Sequence, residues 1–152
     1  MCPLSFDQII QVLEFVGAVT GAVIGLAIYR SNSRTRRAEW LYSLYAKFYE
    51  DDHYKGMRRI LDGGQPAQLT ALNADLAAGN ASDLCEQLVD YLNFFEFVAS
   101  LRKMNQVSEK EIRRLFDYYL RLLDGHAQVL SFVKSEGFED LHQMLADLRA
   151  GR

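Results

Sequence analysis

The 152-residue sequence predicts an all-α protein, an N-terminal transmembrane helix followed by a cytoplasmic helical bundle. Three observations predict it. Only two prolines, Pro3 and Pro66, occur in the chain, which leaves long stretches free to be helical. Apolar residues recur at helical spacing through most of the second half, with no strand-like alternation and no tandem repeat. The first thirty positions hold an outsized share of the apolar content, which totals 49% against 24% charged residues. That balance excludes a disordered polyampholyte. The expected organisation is an extracytoplasmic tail over 1–8, a membrane helix over 9–29 and a helical domain over 30–152 with a loop near 62–82.

Seventeen basic against twenty acidic residues leave a net charge of −3, so no global field attracts nucleic acid or an anionic membrane. Any electrostatic partner must act locally. Cys2 and Cys85 have neither metal-ligand spacing nor the count of a disulfide framework. The three histidines, His53, His126 and His142, form no HExxH pattern, and no Gly-rich phosphate loop follows a strand. No metal and no cofactor is expected.

Ile9 to Tyr29 reads IIQVLEFVGAVTGAVIGLAIY. About twenty residues at ~1.5 Å each match ~30 Å of hydrocarbon. No Lys or Arg precedes Arg30, against the pattern of a cleavable signal peptide. Arg30, Arg34, Arg36 and Arg37 follow at once, and the positive-inside rule then puts the N-terminus outside and the C-terminal part in the cytoplasm. The competing reading is a buried hairpin helix, which Gln11 and Glu14 favour by weakening the hydropathy. Gly17, Gly21 and Gly25 repeat every fourth residue, a small-xxx-small pattern that lets helix backbones approach and implies self-association. Gln11, Glu14, Ala18, Gly21 and Gly25 follow one stripe, so Glu14 faces either an inter-helix seam or lumen, or snorkels to the headgroups.

Beyond the arginines, Trp40, Leu41, Leu44, Tyr45 and Phe48 predict a helix over 35–50 that breaks at Asp51 and Asp52. A short helix from Tyr54 to Leu61 should stop at Asp62, Gly63, Gly64 and Pro66. Residues 65–82, rich in Ala, Asn, Gly and Asp, read as loop with one weak turn. Asp83 and Glu86 form a capping box for a central helix with Leu84, Leu88, Leu92, Phe95 and Ala99 inward. Ser108 and Glu111 form a second box, opening a helix with Ile112, Leu115, Phe116, Tyr119 and Leu123 inward, interrupted or bent at Gly125. Gly137 precedes a last amphipathic helix carrying Phe138, Leu141, Leu145 and Leu148.

One arrangement carries a chemical suggestion, Arg121-Leu-Leu-Asp-Gly-His126. It resembles the Arg-x4–6-His motif of the HEPN ribonuclease superfamily. The resemblance implies a dimer in which Arg121 binds phosphate and His126 serves acid–base chemistry on a nucleic acid. Leu122 departs from the polar residue that commonly follows the Arg. The run Tyr91-Leu-Asn-Phe-Phe-Glu-Phe-Val-Ala99 is similar to the NFFE-type helix of an uncharacterised family of short bacterial single-span membrane proteins. Asn93 and Glu96, three apart on that helix, are candidates for a subunit contact. The layout also resembles the pore-forming accessory protein of type VI-B CRISPR antiviral systems, which implies residence in a bacterial inner membrane, with lipid, further copies of the chain and a defence-system protein as partners. Three functions follow as expectations: a homo-oligomeric membrane-perturbing effector, a membrane-tethered HEPN-like ribonuclease, or a non-catalytic tether that recruits a partner protein.

Overall fold

The computed structural model describes residue 24 and residues 35–150. The expected span 9–29 lies outside these except for Ile24, which is helical, and so do Gln11, Glu14, Gly17, Gly21, Gly25, Arg30 and Arg34. Among the described residues no helix is long and apolar enough to cross a membrane. The chain divides into two compact units, Met1–Leu44 and Tyr45–Arg152. In the first, residues 35–44 are helical, with Arg36 and Arg37 exposed.

The all-α expectation holds: the described residues contain helices and no strand. Helix α1 covers 35–50, followed by α2 (Asp52–Leu61), α3 (Pro66–Ala78), α4 (Asp83–Lys103), α5 (Glu109–Gly125), α6 (Ala127–Ser135) and α7 (Glu139–Ala150). The break after α1 falls at Asp51, whose carboxylate accepts from the His53 N–H at 2.9 Å and so caps α2. The Ser108 and Glu111 capping box is present in full. Gly125 ends α5, and His126 leaves the helical region at φ −95°, ψ 100° to start α6 on a new axis.

Two expectations are corrected. Residues 66–78, expected as loop, form the thirteen-residue helix α3. Pro66 stands at its first turn, where a missing N–H costs nothing, and Gly79 closes it in the left-handed region at φ 68°. Leu72 is fully buried and Leu69 and Leu76 half-buried on the same face. The cap of α4 is Ser82 rather than Asp83: the Ser82 hydroxyl accepts from the Cys85 N–H at 3.3 Å, and Asp83 occupies the first helical position. The four residues of the expected box are therefore offset by one.

Helix α4 is the axis of the second unit. Leu88, Tyr91, Leu92, Phe95 and Val98 are wholly buried on it, and Cys85, Phe94, Ala99 and Leu101 nearly so. Against it the Phe48 ring meets Tyr91, Phe94, Phe95 and Phe116 with centroids 5.1–5.7 Å apart. Phe116 and Phe95 lie edge-to-face at 5.8 Å, the arrangement the ring quadrupoles favour.

Arg58 is the one buried charged residue among the described residues, at 8% exposure. Its guanidinium donates to the carbonyls of Phe48 and Tyr49, the latter at 3.0 Å. These belong to the last turn of α1, whose carbonyls have no partner within their own helix. The cation also lies 4.9 Å from the Phe48 ring centroid and 5.4 Å from that of Tyr49. Helix dipole, two acceptors and two π faces replace the carboxylate a buried charge ordinarily requires. Nearby, burial pushes the Tyr91 phenol well above its ordinary range, and its hydroxyl has no hydrogen-bond partner among the described residues.

Helix α7 is joined to α4 by polar ties. The Glu96 carboxylate accepts from the N–H groups of Asp140 at 3.1 Å and Leu141 at 2.7 Å, capping α7 from a residue more than forty positions away. Asp140 accepts from Ser100 at 2.8 Å and from Lys103 at 2.6 Å, and Asp147 from Arg102 at 2.7 Å.

Two opposite changes are expected in urea titrations of the full chain. Arg58→Ala should cost about 2–4 kcal/mol by orphaning two helix-end carbonyls, while Tyr91→Phe should stabilise by about 1 kcal/mol by removing an unsatisfied buried hydroxyl. A neutral Arg58→Ala would remove its assigned role.

Acid should loosen the α4–α7 junction. Hydrogen bonds from Lys103 and then Ser100 hold the Asp140 carboxyl below its ordinary 3.8, and those from Arg102 and then Gln143 do the same for Asp147. A carboxylate with a depressed folded pKa contributes stability that is fully present above its unfolded value and is lost as pH falls through the folded one. Stability should therefore fall below about pH 4, and Arg102→Met should flatten that dependence. Equal acid loss in both proteins would exclude the pairing as its source.

Candidate docking groove

A concave feature of the second unit is built from the end of α3, the first half of α4 and the length of α6. Its floor is apolar: Leu76 from α3, Cys85 and Val89 from α4, and Phe132 from α6. Cys85, expected from sequence as an incidental thiol, is unbonded and 7% exposed. The helical spacing of Cys85 and Val89 turns both toward α6, and Phe132 is kept in place by Phe138, whose ring lies 6.4 Å away.

The rim is acidic. Asp75, Glu86, Asp90 and Glu136 line the groove and no Lys or Arg does. Asp90 pairs with the His53 Nε2 at 2.9 Å, and Glu136 accepts only from Ser135 at 3.3 Å. No cation is paired with Asp75, Glu86 or Glu136 among the described residues. Ser131, Gln128 and Asn80 add uncharged hydrogen-bonding groups. At about 750 Å³ the groove is in the size range of ligand clefts, ~300–1,000 Å³. No group of three His, Cys, Asp or Glu converges as metal ligands would, among the described residues. Separated carboxylates around an apolar floor suit a cationic, partly apolar surface.

The sequence-derived candidates are placed elsewhere. Arg121 is more than half exposed and pairs with Asp117, one turn back on α5, at 2.6 Å. His126 is half-buried, and its Nε2 lies 2.9 Å from the Leu61 carbonyl, so that nitrogen carries the proton and donates to the end of α2. Within one chain each side chain is engaged with a different helix end or turn. Glu96 directs both oxygens at the α7 N-terminus, whereas Asn93 is exposed on α4 near Phe97, itself 51% exposed. Arg36 and Arg37 are exposed in the first unit.

Sequence reading missed the groove for a local reason. Its acidic residues are divided among α3, α4 and the residue that caps the end of α6, and α3 was expected as loop; the only local signal was the apolar run Leu69, Leu72, Leu76. It also missed Arg58, because a buried arginine is identical in sequence to a surface one on a short basic helix.

No family model, curated protein or solved structure matches the chain.

The His126 contact gives a direct check on its structural role. His126→Ala should lower the stability of the full chain by about 1 kcal/mol through loss of the tie to Leu61, and His126→Gln, whose amide can still donate, should recover part of it. No loss in either variant would show that the imidazole contributes nothing to the α2–α5 junction.

Proposed function

We propose that this chain is a membrane-anchored, self-associating docking protein whose helical bundle works through surface recognition. The observation that carries the reading is the groove over Leu76, Val89 and Phe132, an apolar floor rimmed by four carboxylates with no basic residue among its lining. Apolar surface in such a groove is stabilised when a partner covers it, and the rim carboxylates of Asp75, Glu86 and Glu136 select a partner bearing positive charge. The membrane part of the proposal is supported by the apolar stretch Ile9 to Tyr29 and the four arginines that follow it. Self-association is supported by Gly17, Gly21 and Gly25, which permit close helix approach in lipid. Assembly of such spans around Gln11 and Glu14 would place polar groups on a shared axis and perturb the inner membrane.

The test is fractionation and topology of the full-length protein in bacterial cells. The chain should sediment with membranes and need detergent for release, and protease added to spheroplasts should leave the C-terminal part intact. Strong induction should depolarise the cells, and Gly21→Leu should abolish depolarisation while the protein remains in the membrane pellet. Recovery in the supernatant without detergent would overturn the anchor, and unchanged membrane potential would overturn the perturbation.

A further inference from the structure

The outer face of α5 presents a second unbalanced surface, opposite in sign to the groove. Lys110, Arg114, Tyr118 and Arg121 are all exposed and follow one another at intervals of four, four and three residues, which aligns them on a single helix face. Lys110 and Arg114 have no ion pair among the described residues, whereas the neighbouring Arg113 is paired with Glu109 at 2.9 Å. Arg121 shares its charge with Asp117 but keeps 56% of its side chain exposed. Tyr118 lies in the middle of this stripe with 52% exposure, its hydroxyl fixed by Asp62 and its ring edge-to-face with Tyr119 at 5.0 Å. The stripe is thus three cations around a pre-positioned aromatic ring.

The groove offers the complement, and it shares no residue with the stripe. Asp75, Glu86 and Glu136 match the three cations in number and sign, and the floor of Leu76, Val89 and Phe132 gives the Tyr118 ring apolar and aromatic surface to cover. A held tyrosine ring loses little side-chain freedom on binding, which is why such residues serve as anchors.

We infer that the occupant of the groove is the α5 face of a second copy of this chain, with Tyr118 seated over Phe132 and Lys110, Arg114 and Arg121 against the acidic rim. Each copy offers one groove and one stripe, so two copies meet reciprocally across a two-fold axis, or the contact repeats head to tail and closes into a ring. The inference rests on the self-association proposed above and assigns it a location within the bundle. Charge complementarity makes the contact selective and sensitive to salt, and the buried ring supplies the apolar contribution.

The experiment uses full-length chain in detergent, with oligomer distribution read by mass photometry and contacts by cross-linking. A groove variant, Glu86→Lys with Glu136→Lys, and a stripe variant, Lys110→Glu with Arg114→Glu, should each weaken association at least about tenfold. All four positions are exposed, so both variants should retain the helical circular dichroism of the parent. An equimolar mixture of the two should regain a dimer, because one wild-type groove and one wild-type stripe remain to meet. A photo-cross-linker at Ser131 in a mixture of light and heavy isotope-labelled chains should join groove peptides to the α5 peptide of the other label. Oligomers that persist in both variants with no inter-chain cross-link to α5 would overturn this inference and leave self-association through the span standing. A monomeric parent chain would overturn both. Cross-links confined to one label, or to a co-purifying protein, would assign the groove to another occupant and refute this one.

Discussion

The second unit depends on how Arg58 is accommodated at the corner between α1 and α2. A helix that ends inside a protein leaves its last carbonyls pointing into apolar surroundings, and α1 ends beside the rings of Phe48, Tyr54 and Phe94. Water cannot serve those carbonyls without opening the aromatic cluster. A planar cation on the next helix meets the need, since its fork reaches two successive carbonyls while its face lies against Phe48. Lysine could not do both, because its ammonium has no flat surface to stack. The same corner fixes the position of Phe48, and through that ring it sets the spacing of α2, α4 and α5.

Polar side chains elsewhere in the bundle do similar structural work. Glu96 opens α7, His126 closes α2, Asp51 opens α2, and Ser108 with Glu111 opens α5. Each satisfies backbone groups that the short connections leave unpaired, and four of the five come from charged or titratable residues. A buried donor or acceptor left alone costs ~1–3 kcal/mol, comparable with the net stability of a small domain divided among a few such sites. This explains how residues with catalytic chemistry can be consumed by architecture: His126 has the right ring for acid–base work, but its protonated nitrogen faces a carbonyl.

What could be read from the sequence follows the range of the interactions involved. The box at Ser108 and Glu111 was legible because both partners lie within four residues, and α5 began there. The break at Gly125 and the inward face of α7 were legible for the same reason. Residues 66–78 were not, since Pro66 after two glycines reads as a stop when the turn before it is weighed and as a first helical residue when the turn after it is weighed. Alanine and asparagine there give little amphipathic signal, and it is burial of Leu72 that decides between the two. The role of Glu96 was beyond sequence reading altogether, because its partners at Asp140 and Leu141 are brought near only by the packing of α7 on α4. The motif residues of the NFFE-type run therefore divide: Phe95 was readable as core from its spacing, Phe97 on the same run is instead exposed, and the carboxylate needed the fold.

The surface left after these internal ties is uneven in a particular way. Arg102 and Lys103 of α4 and Arg149 of α7 have carboxylate partners, so the positive charge of α4 and α7 is neutralised within the unit, as is that of Arg113 on α5. Unpaired charge of opposite sign remains at two of the surfaces, acidic around the groove of α3, α4 and α6 and basic along the outside of α5. Exposed ion pairs are each worth only ~0.2–1 kcal/mol, so this separation adds little to the stability of one chain in either direction. Its physical consequence lies between chains, where summed potentials orient approach before contact and penalise like-charged encounters. A fold that pairs the cations of α4 and α7 locally yet leaves unpaired charge on an acidic groove and on a basic aromatic stripe can associate in few orientations, and the apolar floor then determines which of them persists.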